Sequence, residues 1–184
     1  MPSAIVATSG SATANSFVTE VECDTYLDDR LNASSWNDLA AAADDKLRAL
    51  IEATRWLTGM AWDGQRTDDV QNLSWPRDYA ENPDLPESED GLSTLTYFGN
   101  TVVPQRVKDA TCELALQFLK SGTTDLMAMD TTSNIKKKKV SVLETEYVDP
   151  ANRIYGLRKF PRIIQLIQPL LDPALSGGIN LTRT

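Results

Sequence analysis

The stretch GQRTDDVQNLSWPR, residues 64–77, decides how the rest of the chain is interpreted, because it joins turn-forming and charged residues to tryptophan. Trp62 lies just before it, and Trp75 stands near its end in the sequence Trp-Pro-Arg. An active site, a nucleic-acid platform and a structural loop are the three roles that the residue types of this stretch allow.

We expect the structural role. Two indole rings bury a large apolar area, so Trp62 and Trp75 are predicted to fill the gap between helices. Pro76 is expected to fix the direction of the chain. Arg66 and Arg77 are expected to pair with nearby carboxylates or loop carbonyls. A single-strand binder would instead stack bases on such rings, but the surrounding charge is mostly negative and repels phosphate.

Length and composition are those of one globular domain with extended appendages. The chain has 184 residues, of which 41% are hydrophobic and 24% are charged, which suits a protein with a packed core. We predict an N-terminal arm over residues 1–16, flexible or extended, a helical domain over 17–172 and a tail over 173–184. The N-terminus does not resemble a secretory signal, and no apolar run is long enough to span a bilayer, so no membrane association is expected.

Charge is unevenly distributed along the chain. Residues 1–100 contain 18 acidic and 6 basic side chains, whereas residues 101–184 contain 8 acidic and 12 basic ones, and the net charge is −8. Such a balance disfavours general nucleic-acid binding, which relies on Lys and Arg. It favours an assembly in which unlike surfaces meet, although an incidental imbalance explains it equally well.

Helical periodicity dominates the pattern. Thr19 and Glu22 fit a capping box that starts a first helix running to about Leu31. A second helix begins at Asp44 or Asp45, and its apolar residues are spaced by three and four. Further helices are expected between Pro104 and Gly122 and from Pro161 onward. An alternating segment near 135–149 predicts a strand or hairpin. The fold class is therefore mainly α, a small bundle of three to four helices with a β excursion and extended arms.

The residues that histidine-based catalysis needs are missing from the sequence. The chain contains no histidine and two cysteines, which excludes Ser-His-Asp and Cys-His catalysis and disfavours a zinc site. Phosphate-binding glycine loops are also absent. Cys23 and Cys112 fall in predicted helices and are expected to be buried thiols in a reducing compartment. We predict no enzymatic activity, no cofactor and no metal.

One basic run stands out, formed by Lys136, Lys137, Lys138 and Lys139. These lysines could contact a DNA backbone or an acidic neighbouring subunit. The alternative is a solvated strand edge, at which lysines discourage unwanted pairing.

Four segments in order carry a family resemblance: SFVTEVECDTYLDDRLNASSW (16–36), KLRALIEATRWL (46–57), WDGQRTDDVQNLSWPRD (62–78) and VPQRVKDATCELAL (103–116). Together they resemble the head–tail connector, or adaptor, proteins of tailed bacteriophages, some of which are labelled DnaT-like single-stranded-DNA-binding proteins. The insertion at 79–100 is longer and more acidic than in that pattern.

The resemblance implies a structural subunit of the virion neck, assembled in the host cytoplasm into a ring, commonly twelve-fold. Its partners would be the portal protein, a downstream neck or tail protein and double-stranded DNA passing through the ring without sequence-specific contacts. The alternative that it implies is DnaT-like single-stranded-DNA binding. The tail is expected to dock onto the portal through Leu175, Gly177, Gly178, Ile179, Asn180, Leu181, Thr182, Arg183 and Thr184.

Overall fold

A computed structural model describes residues 2–38, 43–85, 97–126, 135–139, 144–147 and 156–172. The described elements are, in chain order, α1 (Glu20–Asp28), α2 (Ser34–Asn37), α3 (Ala43–Thr58), β1 (Gln65–Arg66), β2 (Arg77–Asp78), α4 (Gln105–Ser121), β3 (Ile135–Lys139), β4 (Glu144–Tyr147) and α5 (Pro161–Ile167). Short 3-10 helices, Gly156–Lys159 and Gln168–Leu170, flank α5. The mainly α bundle with a β excursion is confirmed.

Helix α1 begins with the predicted capping box. The Thr19 side chain accepts a hydrogen bond from the backbone of Glu22, and the Glu22 carboxylate accepts one from the backbone of Thr19. The helix ends at Asp28 instead of near Leu31. Its buried face is formed by Cys23 and Leu27, whereas Leu31 lies beyond the helix and is exposed.

Helix α4 is the centre of the bundle. It packs against α1, α3 and α5, and it buries side chains on most of its circumference, including Val107, Leu114 and Phe118. The helix ends where predicted, at Gly122, which adopts the left-handed conformation with φ +65°. The largest fully buried side chains of the core are Trp36, Trp75, Phe17, Leu27, Leu50, Leu57, Leu114, Leu116, Leu126, Ile163, Ile167 and Leu170.

The N-terminal arm is extended and is held by hydrogen bonds both within the arm and to another segment of the chain. The Asn15 side chain accepts from the amide of Val6 at 2.8 Å and donates to the carbonyl of Ala4 at 2.8 Å. The Ser9 hydroxyl donates to the carbonyl of Thr101 at 2.7 Å. The arm is therefore tied both to itself and to the segment that precedes α4.

Two antiparallel strand pairs complete the described structure. Strands β1 and β2 pair Gln65 with Asp78 and Arg66 with Arg77. Strands β3 and β4 form the predicted hairpin, with Lys139 opposite Glu144 and Lys138 opposite Thr145. Within the described ranges, no helix is long and apolar enough to span a membrane.

Candidate functional site

The tryptophan loop, defined as residues 62–78, is built around a row of aromatic rings. Trp62 and Trp75 meet edge to face with ring centroids 5.7 Å apart, and Trp75 meets Phe98 in the same way at 5.8 Å. Trp62 is 4% exposed and Trp75 is 1% exposed. Pro76 is buried and follows a cis peptide bond. Edge-to-face contacts add to the free energy gained by burying the rings.

Both arginines of the loop bind backbone carbonyls. Arg77 donates from Nε to the carbonyl of Asp63 at 2.6 Å, and its two Nη atoms reach the carbonyls of Trp62, Gly64 and Ser74. Arg66 donates to the carbonyls of Gln71 and Leu73. The sequence predicts either carboxylates or loop carbonyls as partners of these two arginines, and the structure shows loop carbonyls.

Burial lowers the pKa of Arg77, and the neighbouring charge of Arg66 lowers it further, although Asp63 opposes both effects. A guanidinium whose donors are directed at carbonyls inside a loop is not available to a phosphate. Arg77 therefore holds the loop together and is not part of an anion site.

Gln71 and Asn72 were not singled out from the sequence, yet they hold the loop closed. The buried Gln71 amide donates to the carbonyls of Leu73 and Pro76 at 2.8 and 3.1 Å, and its oxygen accepts from the amide of Asp68 at 3.1 Å. The Asn72 side chain donates to the carbonyl of Ala14 at 2.7 Å. The loop is thereby joined to the N-terminal arm.

The C-terminal part of the bundle is joined to the same loop. The amide of Asp63 donates to the carbonyl of Leu170 at 3.0 Å, and the amide of Asp172 donates to the carbonyl of Ala61 at 3.0 Å. Trp62 and Leu171 form an isolated antiparallel bridge. Segments more than 100 residues apart along the chain are therefore fixed to one another through the tryptophan loop.

A second polar cluster surrounds the buried carboxylate of Glu113 in α4. Its side chain is 2% exposed and binds Arg30 Nε at 2.7 Å, the Tyr26 hydroxyl at 2.9 Å and Arg162 Nε at 2.5 Å. The cluster therefore links α1, α4 and α5. Sequence reasoning missed it, because a carboxylate in the middle of an amphipathic helix gives no signal of burial until its partners are known.

Electrostatics keep Glu113 ionised despite its burial. Burial alone would raise its pKa, but hydrogen bonds from Arg30 and Tyr26, together with the charges of Arg30 and Arg162, hold the pKa below its ordinary value. A carboxylate held in this way stabilises the packing of the helices that supply its partners.

The other predicted site residues fall elsewhere. Lys136 to Lys139 lie in β3, whose contacts are mainly with β4. The predicted docking residues, Leu175 and 177–184, lie outside the described residues. Cys23 and Cys112 are both buried and form no disulfide, and within the described ranges no three His, Cys, Asp or Glu residues are grouped so as to hold a metal ion.

Comparison with family models places the chain in a family. Residues 3–184 match the model described as "Putative DnaT-like ssDNA binding protein". The chain belongs to this DnaT-like family. No curated protein and no solved structure matches the chain.

The description of the DnaT-like family agrees better with the alternative predicted from the sequence than with the connector. The predicted relationship to phage head–tail connectors is not confirmed by the comparisons. The family match extends over the tryptophan loop and the Glu113 cluster, both of which join distant segments of the chain.

Proposed function

We propose that this DnaT-like family member is a structural adaptor of a tailed-phage neck. In this proposal, copies of the chain form a ring beneath the portal, connect the head to the tail and let the genome pass. The proposal rests on the sequence resemblance to head–tail connectors and on one structural observation, the burial of the tryptophans.

The burial of the tryptophans carries the choice between an adaptor and a single-strand binder. Trp36, Trp62 and Trp75 are 0%, 4% and 1% exposed, and Trp56 is half-buried. Base stacking needs an accessible ring face. Three of the four indoles fill the core, and two of them hold the loop that joins distant segments. This use of tryptophan suits a rigid assembly subunit.

Charge supports the same choice. The acidic excess in residues 1–100 repels phosphate, which suits the wall of a channel through which duplex DNA slides without being held. Arg66 and Arg77, two of the six basic residues in this portion, are directed at loop carbonyls. A strand of nucleic acid therefore gains little from them.

The adaptor proposal is tested by imaging the protein together with the portal protein of the same phage. We expect negative-stain images to show rings of this chain on one face of the portal. A truncated chain that ends at residue 175 should keep the fold, measured by circular dichroism, and should lose portal attachment. A protein that forms no ring on the portal would refute the proposal, and attachment of the truncated chain would refute the docking role of the tail alone.

A second candidate function is binding of single-stranded DNA, and the description of the family favours it. It predicts binding to a fluorescent oligonucleotide that weakens steeply as salt rises. Replacing Lys136 to Lys139 by Ser should then abolish binding, whereas replacing Lys120, an exposed lysine at the end of α4, should not. Fluorescence anisotropy that shows tight binding at physiological salt would favour this candidate over the adaptor.

A further inference from the structure

Strands β3 and β4 form a sheet of two strands. Within the described ranges no third strand joins this sheet, and neither strand packs extensively on a helix. A hairpin of two strands is marginally stable in water by itself, and further strands or a packed face stabilise it. The outer edge of each strand therefore has backbone N–H and C=O groups that no other described strand binds.

The two edges of this hairpin differ in the sign of their charge. Strand β3 has the sequence Ile-Lys-Lys-Lys-Lys, so four of its five residues are basic. Strand β4 has the sequence Glu-Thr-Glu-Tyr, which contains two acidic residues and no basic one. One edge of the hairpin is thus formed by a basic strand and the other by an acidic strand.

The register of the hairpin leaves part of the basic charge of β3 unbalanced. The two glutamates of β4 lie opposite Lys137 and Lys139. Lys138 lies opposite Thr145, and Lys136 falls at an irregularity in the register. Opposite charges on neighbouring strands stabilise a sheet. Because β4 does not balance all four lysines, a second acidic strand on the outer edge of β3 would be stabilised by the excess.

Strand β4 of a second copy fits this edge better than any other pairing of the two strands. Two β3 strands side by side would place lysines opposite lysines, and two β4 strands would bring glutamates together, and like charges opposite each other are destabilising. The pairing of β3 with β4 brings unlike charges together, and the hairpin itself shows that the two sequences pair in antiparallel register. Each strand has two edges, so the same register is open to a second copy.

We propose that the outer edge of β3 in one copy of this chain pairs with the outer edge of β4 in the next copy. Backbone hydrogen bonds would supply the affinity, and the charges would select which edges meet. The contact joins different surfaces of identical subunits, and contacts of this kind generate a ring when the rotation closes. The inference rests on the proposed adaptor function and names a subunit contact that the ring needs.

Disulfide trapping tests the contact. One population of the full chain carries Lys138→Cys and a second population, labelled with nitrogen-15, carries Thr145→Cys. The two populations are mixed with the portal protein of the same phage and oxidised. These two positions are opposite each other in the hairpin, so the same register between copies brings them within the distance that a disulfide requires.

We expect disulfides that join the two populations, identified by mass spectrometry, in clear excess over disulfides within either population. The native thiols Cys23 and Cys112 are buried, and the wild-type chain oxidised in the same way is the control. Disulfides between two copies of the same variant that are as abundant as the mixed ones would overturn the contact.

A charge reversal provides an independent measurement. Lys138→Glu keeps both lysine–glutamate pairs of the hairpin and adds an acidic residue to β3. We expect the protein concentration needed for ring formation on the portal to rise at least about fivefold, because like charges then meet across the contact. Adding Thr145→Lys should restore ring formation. Lys120→Glu, at an exposed lysine near the end of α4, is the matched control and should change nothing.

The outcomes separate this contact from the adaptor function. Rings on the portal that form as readily with Lys138→Glu as with the wild type would overturn the contact and leave the adaptor function standing. A wild-type chain that forms no ring with the portal would overturn both. Disulfides from position 138 to the portal protein, and not to a second copy, would identify the portal as the partner of this edge and would also overturn the contact.

Discussion

Replacing Glu113 by Gln removes a buried negative charge from α4 while keeping the shape of the side chain. The substitution leaves Arg30 and Arg162 facing a neutral amide, and the Tyr26 hydroxyl loses a charged acceptor. Removing one partner of a buried ion pair costs roughly 3–5 kcal/mol. The side chains of Arg30 and Arg162 are 30% and 52% exposed, so water solvates part of the uncompensated charge. We therefore expect a loss of about 2–3 kcal/mol in the free energy of unfolding.

Urea denaturation followed by circular dichroism measures this loss. Glu52→Gln is the matched control, because Glu52 pairs with Arg55 at 3.0 Å on the surface of α3, where Arg55 is 71% exposed. Such an exposed pair contributes about 0.5 kcal/mol or less. A Glu113→Gln variant that loses no more stability than Glu52→Gln would show that the cluster does not hold α1, α4 and α5 together.

Acid provides a second check on the same substitution. The folded pKa of Glu113 lies below its ordinary value of 4.5, so ionisation stabilises the fold fully above that value. The contribution is lost as the pH falls through the folded pKa. The difference in stability between wild type and Glu113→Gln should therefore be constant from neutral pH to about pH 5 and should narrow below 4.5. A difference that widens on acidification would contradict the proposed role of the charge.

Two further substitutions test the tryptophan loop. Trp75→Ala should lower the free energy of unfolding by about 3–5 kcal/mol, as for a fully buried aromatic residue. Trp56→Ala, which removes a half-buried ring, should lower it by less. Equal losses would place Trp75 outside the core. Gly64→Ala should cost about 2 kcal/mol or more, because φ is +71° and the new Cβ would lie 2.3 Å from the carbonyl oxygen of Asp78. Gly122 has a similar positive φ, but a Cβ added there would meet no atom within 4 Å. Calorimetry should therefore show a smaller fall in melting temperature for Gly122→Ala than for Gly64→Ala. Equal falls would exclude the close approach at Gly64 as the cause.

Local chemistry made part of this fold predictable. The capping box of α1, the apolar stripes of α3 and α4 and the glycine that ends α4 all depend on residues within a few positions of one another. Such patterns report the conformation that the backbone adopts before distant segments meet. The sequence predicts that α1 runs to about Leu31, because an apolar residue at that spacing favours a buried position. In the structure α1 ends at Asp28 and Leu31 is exposed.

Long-range contacts explain what the sequence could not reveal. Glu113 binds Arg30 and Arg162, which are 83 and 49 residues away along the chain, and nothing in a helical repeat indicates such partners. Asn72 likewise reaches Ala14 across 58 residues. A tryptophan side chain is large enough to indicate burial from the sequence alone, but Gln71, which closes the loop through its amide, is an ordinary polar residue in the sequence.

The same arrangement that buries the tryptophans leaves Tyr79 and Tyr97 at the surface. The pairing of Ala80 and Glu81 with Tyr97 and Phe98 directs one aromatic ring onto Trp75 and leaves the next at the surface. Because base stacking needs an accessible ring face, the ring that this pairing buries, Trp75, is closed to a nucleic acid, as the adaptor proposal expects.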